Sequence, residues 1–215
     1  MLREFGHSTI SVTVISATNI GIYAIVLYWG FAIYNPYAVQ SGLLGNLLYF
    51  MAIMLAHDTY FYWTHRAMHL KGLFVPFHRL HHKSNNPSPW SAYSFSLLES
   101  IVQGAFFPIY LTYVPTPLPA LIAFGFVQIS FNVIGHGGIE LAPRWSVIRL
   151  KFLTGVTFHD LHHAYYNCNY GLYFRFWDRL MGSEHPRFEA AYLHVISKEN
   201  KGDLHSNFLK NKISP

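Results

Sequence analysis

Nine histidines of this chain fall into four spaced sets. His65 and His69 are four residues apart. His78, His81 and His82 read H-x-x-H-H. Asn132 and His136 are again four apart, and His159, His162 and His163 repeat H-x-x-H-H. On a helix, residues three or four apart are neighbours on one face, so each set is expected to aim its side chains at one point. Imidazole is a ligand for Zn, Cu, Fe and Ni alike. One zinc ion takes about four ligands, so nine imidazoles are the supply for two ions. The spacing does not name the metal. There is no H-E-x-x-H, and the paired Glu-x-x-His motifs of soluble di-iron bundles are absent too.

The elements that must carry these rings are apolar. Of 215 residues, 52% are hydrophobic, 18% aromatic and only 12% charged, where a soluble domain carries about 25% charged residues. Four stretches, about 10–33, 43–63, 95–114 and 119–135, each approach the ~20 residues needed to cross hydrocarbon. The last two are short and polar-tinged, which suits a deeply inserted hairpin as well as full spans. The first reads as a membrane segment rather than a cleavable signal. The expected fold is therefore an all-α integral membrane protein. It has about four transmembrane or deeply inserted helices and a helical cap from about residue 143, and residues 1–215 form one domain.

Charge sets the expected orientation. The connections NPYAVQSG (35–42) and VPTPLP (114–119) hold no Lys or Arg, whereas the basic residues lie at the N-terminal tip, in 66–91 and after 136. By the positive-inside rule, both termini, the 66–91 segment and the cap face the cytoplasm. A helix rises about 1.5 Å per residue. Spans starting outside at Leu43 and Pro119 then deliver His65, His69, Asn132 and His136 to one layer under the bilayer. The net charge of +5 fits a basic face against anionic headgroups. No run of basic residues supports nucleic-acid binding. The single cysteine, Cys168, excludes an internal disulfide and a thiolate cage, and reads as packing.

The text DTYFYWTHRAMH (58–69), HRLHH (78–82), NVIGHGGIE (132–140) and HDLHHAYYNCNYGLYFRFWDRLMGSEHP (159–186) resembles the membrane-bound fatty acid hydroxylase and sterol desaturase superfamily. The resemblance covers about 43–187. It implies two iron ions held by His65, His69, His78, His81, His82, His136, His159, His162 and His163. It also implies O2 as oxidant and a membrane lipid C–H bond as target, hydroxylated or desaturated. Asn132 stands where some relatives have His and would hold a metal-bound water. Asp58, Asp160 and Glu140 would accept from imidazole N–H groups, the usual way a ligating ring is oriented.

The aromatic stretches 60–63, 95–98 and 165–174 are expected to wall an apolar slot. No flavin or nicotinamide fingerprint is present, so electrons must come from a separate carrier of cytochrome b5 or ferredoxin type. Arg66, Lys71, Arg79 and Lys83 offer it a basic rim. The membrane is a bacterial inner membrane or the endoplasmic reticulum. Three rival readings make different demands. A membrane zinc hydrolase would work without O2 or a reductant. A bis-histidine haem electron carrier would show a Soret band. A metal carrier or sensor would bind its ion exchangeably and would not need aromatic walls.

Overall fold

The computed structural model describes residues 2–29, 39–84, 87–140 and 151–199. Among these residues the chain is helical, with no strand and one isolated bridge between Leu153 and Phe174. Four long helices come first: α1 (Leu2–Tyr28), α2 (Leu43–Met68), α3 (Leu97–Tyr113) and α4 (Leu118–Gly135). A π-turn (Phe74–His78) and a 3-10 turn (His81–Lys83) lie between α2 and α3. Three shorter helices follow: α5 (Val156–Tyr165), α6 (Phe176–Leu180) and α7 (Phe188–Glu199).

Two of these helices, over Leu2–Val26 and Leu118–Gly135, are long and apolar enough to cross a membrane. A soluble core helix of that composition would be mostly buried. Here only 6% and 17% of the two windows are buried, so the apolar side chains face outward, as they do toward lipid. Within the described residues the four expected stretches fall on α1 to α4, of which α1 and α4 are the two long and apolar enough to cross a membrane; residues 30–33 lie outside the described residues. The loop residues 35–38 and the cap residues 143–150 lie outside the described residues.

Helix α1 starts earlier than its apolar run predicts and includes Arg3 and Glu4. The reason is a polar dock. The Glu4 carboxylate accepts from Ser84 Oγ (2.8 Å) and Ser88 Oγ (3.0 Å), and Arg3 donates to Ser84 Oγ (3.2 Å). This ties the first turn of α1 to the chain just after His81 and His82. Farther along, α1 and α3 approach closely at Gly104, where an added Cβ would lie 3.2 Å from the backbone of Ile15. Small residues permit such approach between membrane helices.

Two packed clusters hold the site from either side. Ile53 and Met54 of α2, Phe106 and Tyr110 of α3, Phe124 of α4 and Tyr173 form the first. Phe158 and Leu161 of α5 pack on Phe188, Ala191, Tyr192 and Ile196 of α7 in the second. The second cluster turns the apolar face of α5 away from its histidines.

Candidate metal centre

All nine histidines meet, in two groups. His65, His69, His78, His82 and His162 form one; His81, His136, His159 and His163 form the other. Within each group the nearest ring nitrogens lie within 4.8 Å of one another. The expectation that each H-x-x-H-H set converges on one point is corrected here. Each set divides between the groups. The i, i+4 pairs His78/His82 and His159/His163 stay together, while His81 and His162 cross over. Helical geometry explains this for α5. Residues four apart are rotated by about 40°, whereas the i+3 residue lies about 60° to the other side. One α5 therefore feeds both groups, and the double motif is the seam between them.

The rings face each other through Nε2. His65 and His78 are 2.9 Å apart at these atoms, His162 and His82 3.0 Å, His69 and His82 3.3 Å. In the second group, His136 to His159 is 2.9 Å, His159 to His163 3.0 Å, and His136 to His81 3.4 Å. Four Nδ1 atoms face acceptors. His65 donates to the Tyr170 carbonyl (2.8 Å), His162 to that of Cys168 (2.7 Å), His136 to that of Asn132 (2.7 Å), and His78 to Glu99 Oε1 (2.7 Å). A carbonyl can only accept, so His65, His136 and His162 carry their proton on Nδ1 and present a bare Nε2, and His78 does the same where Glu99 is ionised. Burial first, and neighbouring rings second, hold His78, His81, His82, His159, His162 and His163 well below the ordinary imidazole range. Neutral rings are the ligand form. With Glu99 ionised, the close pair His65–His78 is lone pair against lone pair, an arrangement that a cation relieves. The donor set thus fits bound metal.

The four other residues singled out in the sequence are placed as follows. Asp58 does not reach an imidazole. Its Oδ1 accepts from the backbone N–H of Tyr173 (2.9 Å) and Phe174 (3.2 Å), which pins that loop to α2. Glu140 Oε2 accepts from Thr157 N (3.0 Å) and Oγ1 (3.1 Å), at the start of α5, where a carboxylate also meets the helix dipole. Both acids serve unpaired backbone donors, which are costlier to leave buried than a ring N–H that already has a carbonyl. Asp160 is half-buried on α5. Burial, with Glu140 nearby, pushes its carboxyl up to about 7, and no hydrogen bond joins it to an imidazole among the described residues. Asn132 Nδ2 donates to the Ala92 carbonyl (2.9 Å). The Cys168 thiol is pushed up to about 12 by burial, which matches a packing role.

Sequence reasoning missed the loop that holds the rings. Asp178 accepts from Tyr170 N (2.9 Å), Gly171 N (2.7 Å) and Ser183 Oγ (2.8 Å). It thereby sets the Tyr170 carbonyl that orients His65. A Cβ at Gly171 would meet the Phe174 carbonyl oxygen at 2.5 Å and Asp178 Oδ2 at 3.0 Å. Gly171→Ala is therefore expected to cost about 2 kcal/mol, in the range of overpacked sites. Chemical unfolding in detergent beside wild type checks this, and an unchanged midpoint would show that the loop yields.

A cavity of about 50 Å³ adjoins both groups. Each of the three aromatic stretches contributes to its wall: Phe61, Phe95, and Gly171 with Leu172; Phe131 and Asn132 of α4 add to it. The described residues thus define a helical protein of membrane type around a buried, histidine-rich centre.

Comparisons with known proteins give the family. The fatty acid hydroxylase model matches residues 50–183. The chain belongs to the fatty acid hydroxylase family, the superfamily that the motif text resembles. It is 31% identical over 153 residues to a Delta(7)-sterol 5(6)-desaturase of Gibberella zeae, covering 69% of this chain and 46% of that protein. It is 24% identical to lathosterol oxidase of Rattus norvegicus, covering 98% and 72%. Against a methylsterol monooxygenase of Aspergillus fumigatus the identity is 36%, covering 60% and 44%. The chain thus spans less than half the length of both fungal relatives. No solved structure matches the chain at a significant level.

Proposed function

We propose that this chain is an O2-dependent membrane oxidoreductase that hydroxylates or desaturates a sterol or related lipid. The observation that carries this reading is the convergence of nine imidazoles in two groups of five and four, with the bare Nε2 of His65, His162 and His136 turned into them. The relatives' names, sterol desaturase, lathosterol oxidase and methylsterol monooxygenase, supply the reaction class. His65, His69, His78, His82 and His162 would hold one iron ion, and His81, His136, His159 and His163 the other. When bound, the iron pair supplies oxygen activation for attack on a lipid C–H bond.

The chain's own residues aim and shield that chemistry. Carbonyls of Tyr170, Cys168 and Asn132 fix three rings in the Nδ1–H tautomer. Phe61, Phe95 and Phe131 give the cavity an apolar wall. At about 50 Å³ it is far smaller than the roughly 300 Å³ at the low end of ordinary ligand pockets. Entry of a lipid chain would therefore require these aromatic side chains to move. The site sits on the cytoplasmic side by the positive-inside rule. Arg66, Lys71, Arg79 and Lys83 would receive an acidic carrier of cytochrome b5 or ferredoxin type. Of these, Lys71, Arg79 and Lys83 are exposed.

Lipid profiling by mass spectrometry tests the reading. Cells making wild type are compared with cells making the double variant His136→Ala/His162→Ala, which loses one ring from each group. A lipid heavier by one oxygen, or lighter by two hydrogens, is expected in wild type only. Identical lipid profiles in aerobic, iron-replete cells supplied with sterol would overturn it.

A further inference from the structure

Glu99 is the residue that the sequence did not single out and the mechanism above does not use. It occupies the first turn of α3, with its side chain 1% exposed. The local sequence explains its reach. Ser96 caps α3 by accepting from Glu99 N (3.2 Å) and donates its own hydroxyl to the Phe77 carbonyl (2.6 Å). That second bond lays the start of α3 against Phe77 and His78. Glu99 then meets His78 Nδ1 through Oε1 at 2.7 Å. The second oxygen, Oε2, is buried with no hydrogen-bond partner among the described residues. Glu99 is also the only carboxylate among the described residues lining the cavity, which His65, His78, His81, His136 and His159 line as well.

Charge decides what such a group is for. Resting on the two-ion reading, the centre has nine neutral imidazoles and two divalent cations, and no ligand cancels their charge. Buried uncompensated charge is strongly unfavourable. Of the other acids near the site, Asp58 and Asp178 accept from backbone amides of 170–174, Glu140 accepts from Thr157, and Asp160 does not line the cavity. A carboxylate on His78 Nδ1 also increases the ring's donor strength at Nε2.

We propose that Glu99 is the charge-balancing and positioning carboxylate of the centre, holding His78 by one oxygen and presenting the other to the cavity beside both metal groups. It is a positioning residue, because it acts through His78 and through its field rather than by touching a reacting atom.

Glu99→Gln keeps the shape and an acceptor for His78 but removes the charge. The full chain in detergent is stripped with a chelator and titrated with Fe(II) or Co(II) against a competing chelator. Wild type is expected to take up two ions, and Glu99→Gln to bind them roughly 10–100-fold more weakly. Thermal unfolding supplies the readout that a merely structural role would not produce. The stripped variant should be about as stable as stripped wild type, because Gln keeps the shape and an acceptor for His78, while the loaded variant should be less stable than loaded wild type. Two ions bound with unchanged affinity by Glu99→Gln would overturn the inference and leave the two-ion reading standing. A variant less stable in the stripped state would also overturn it. A wild type that takes up no ion would overturn the two-ion reading, and this inference with it.

Discussion

His136→Ala is expected to empty the four-histidine group and to lower product formation at least about 100-fold, the upper end of what loss of a ligand's support costs. His136, which caps the C-terminus of α4, faces His159 at 2.9 Å and His81 at 3.4 Å. Its removal leaves three imidazoles, below the roughly four that a closed site uses. His162→Ala leaves four of the five in its own group. The two variants should therefore differ in metal content: about one ion per chain for His136→Ala, and more than one for His162→Ala. Elemental analysis of the purified proteins distinguishes them. The stripped His136→Ala chain should unfold close to stripped wild type, because the ring's polar partners are two other histidines and the Asn132 carbonyl of its own turn. A variant that unfolds early and keeps both ions would show that His136 is a packing residue.

Asp178→Ala is expected to destabilise the chain by about 3–5 kcal/mol, since two buried amides and a hydroxyl lose their acceptor at about 1–3 kcal/mol each, with partial relaxation. Asp178 is fully buried, so water does not replace it. The consequence reaches the centre through one bond. With Tyr170 N and Gly171 N released, the Tyr170 carbonyl no longer fixes His65. Metal affinity should fall even in molecules that remain folded. Asp178→Asn, which retains an acceptor, should recover part of the stability. Equilibrium unfolding and a metal titration on the same samples check both. A change under about 0.5 kcal/mol, the size of an ordinary surface substitution, would contradict the clamp.

What the sequence showed and what it hid have different physical origins. Helices α2, α3 and α4 were legible because apolar runs bounded by Pro, Gly and charge have a direct reading in length and composition. The histidines were legible because titratable rings spaced at three and four are rare beside apolar helices. The division of each H-x-x-H-H set was not, since residues three and four apart count as the same face until a second centre pulls them apart. The backbone partners of Asp58 and Glu140 were hidden for a related reason. A carboxylate's partner is chosen by which buried donor lacks one, and backbone N–H groups leave no mark in the sequence. The same blindness hides the carbonyls of Tyr170 and Cys168 behind His65 and His162. Glu99 did leave a signal, an acid at the edge of an apolar stretch, three residues after a capping serine. Its target His78 lies 21 residues away, and only the fold brings the two together.

The most direct measurement is metal counting joined to X-ray absorption on the full chain, purified in detergent and loaded with iron. The account predicts two ions per chain, each surrounded by imidazole nitrogens at about 2 Å. A single ion per chain, a shell without imidazole scattering, or iron found only as haem would contradict it.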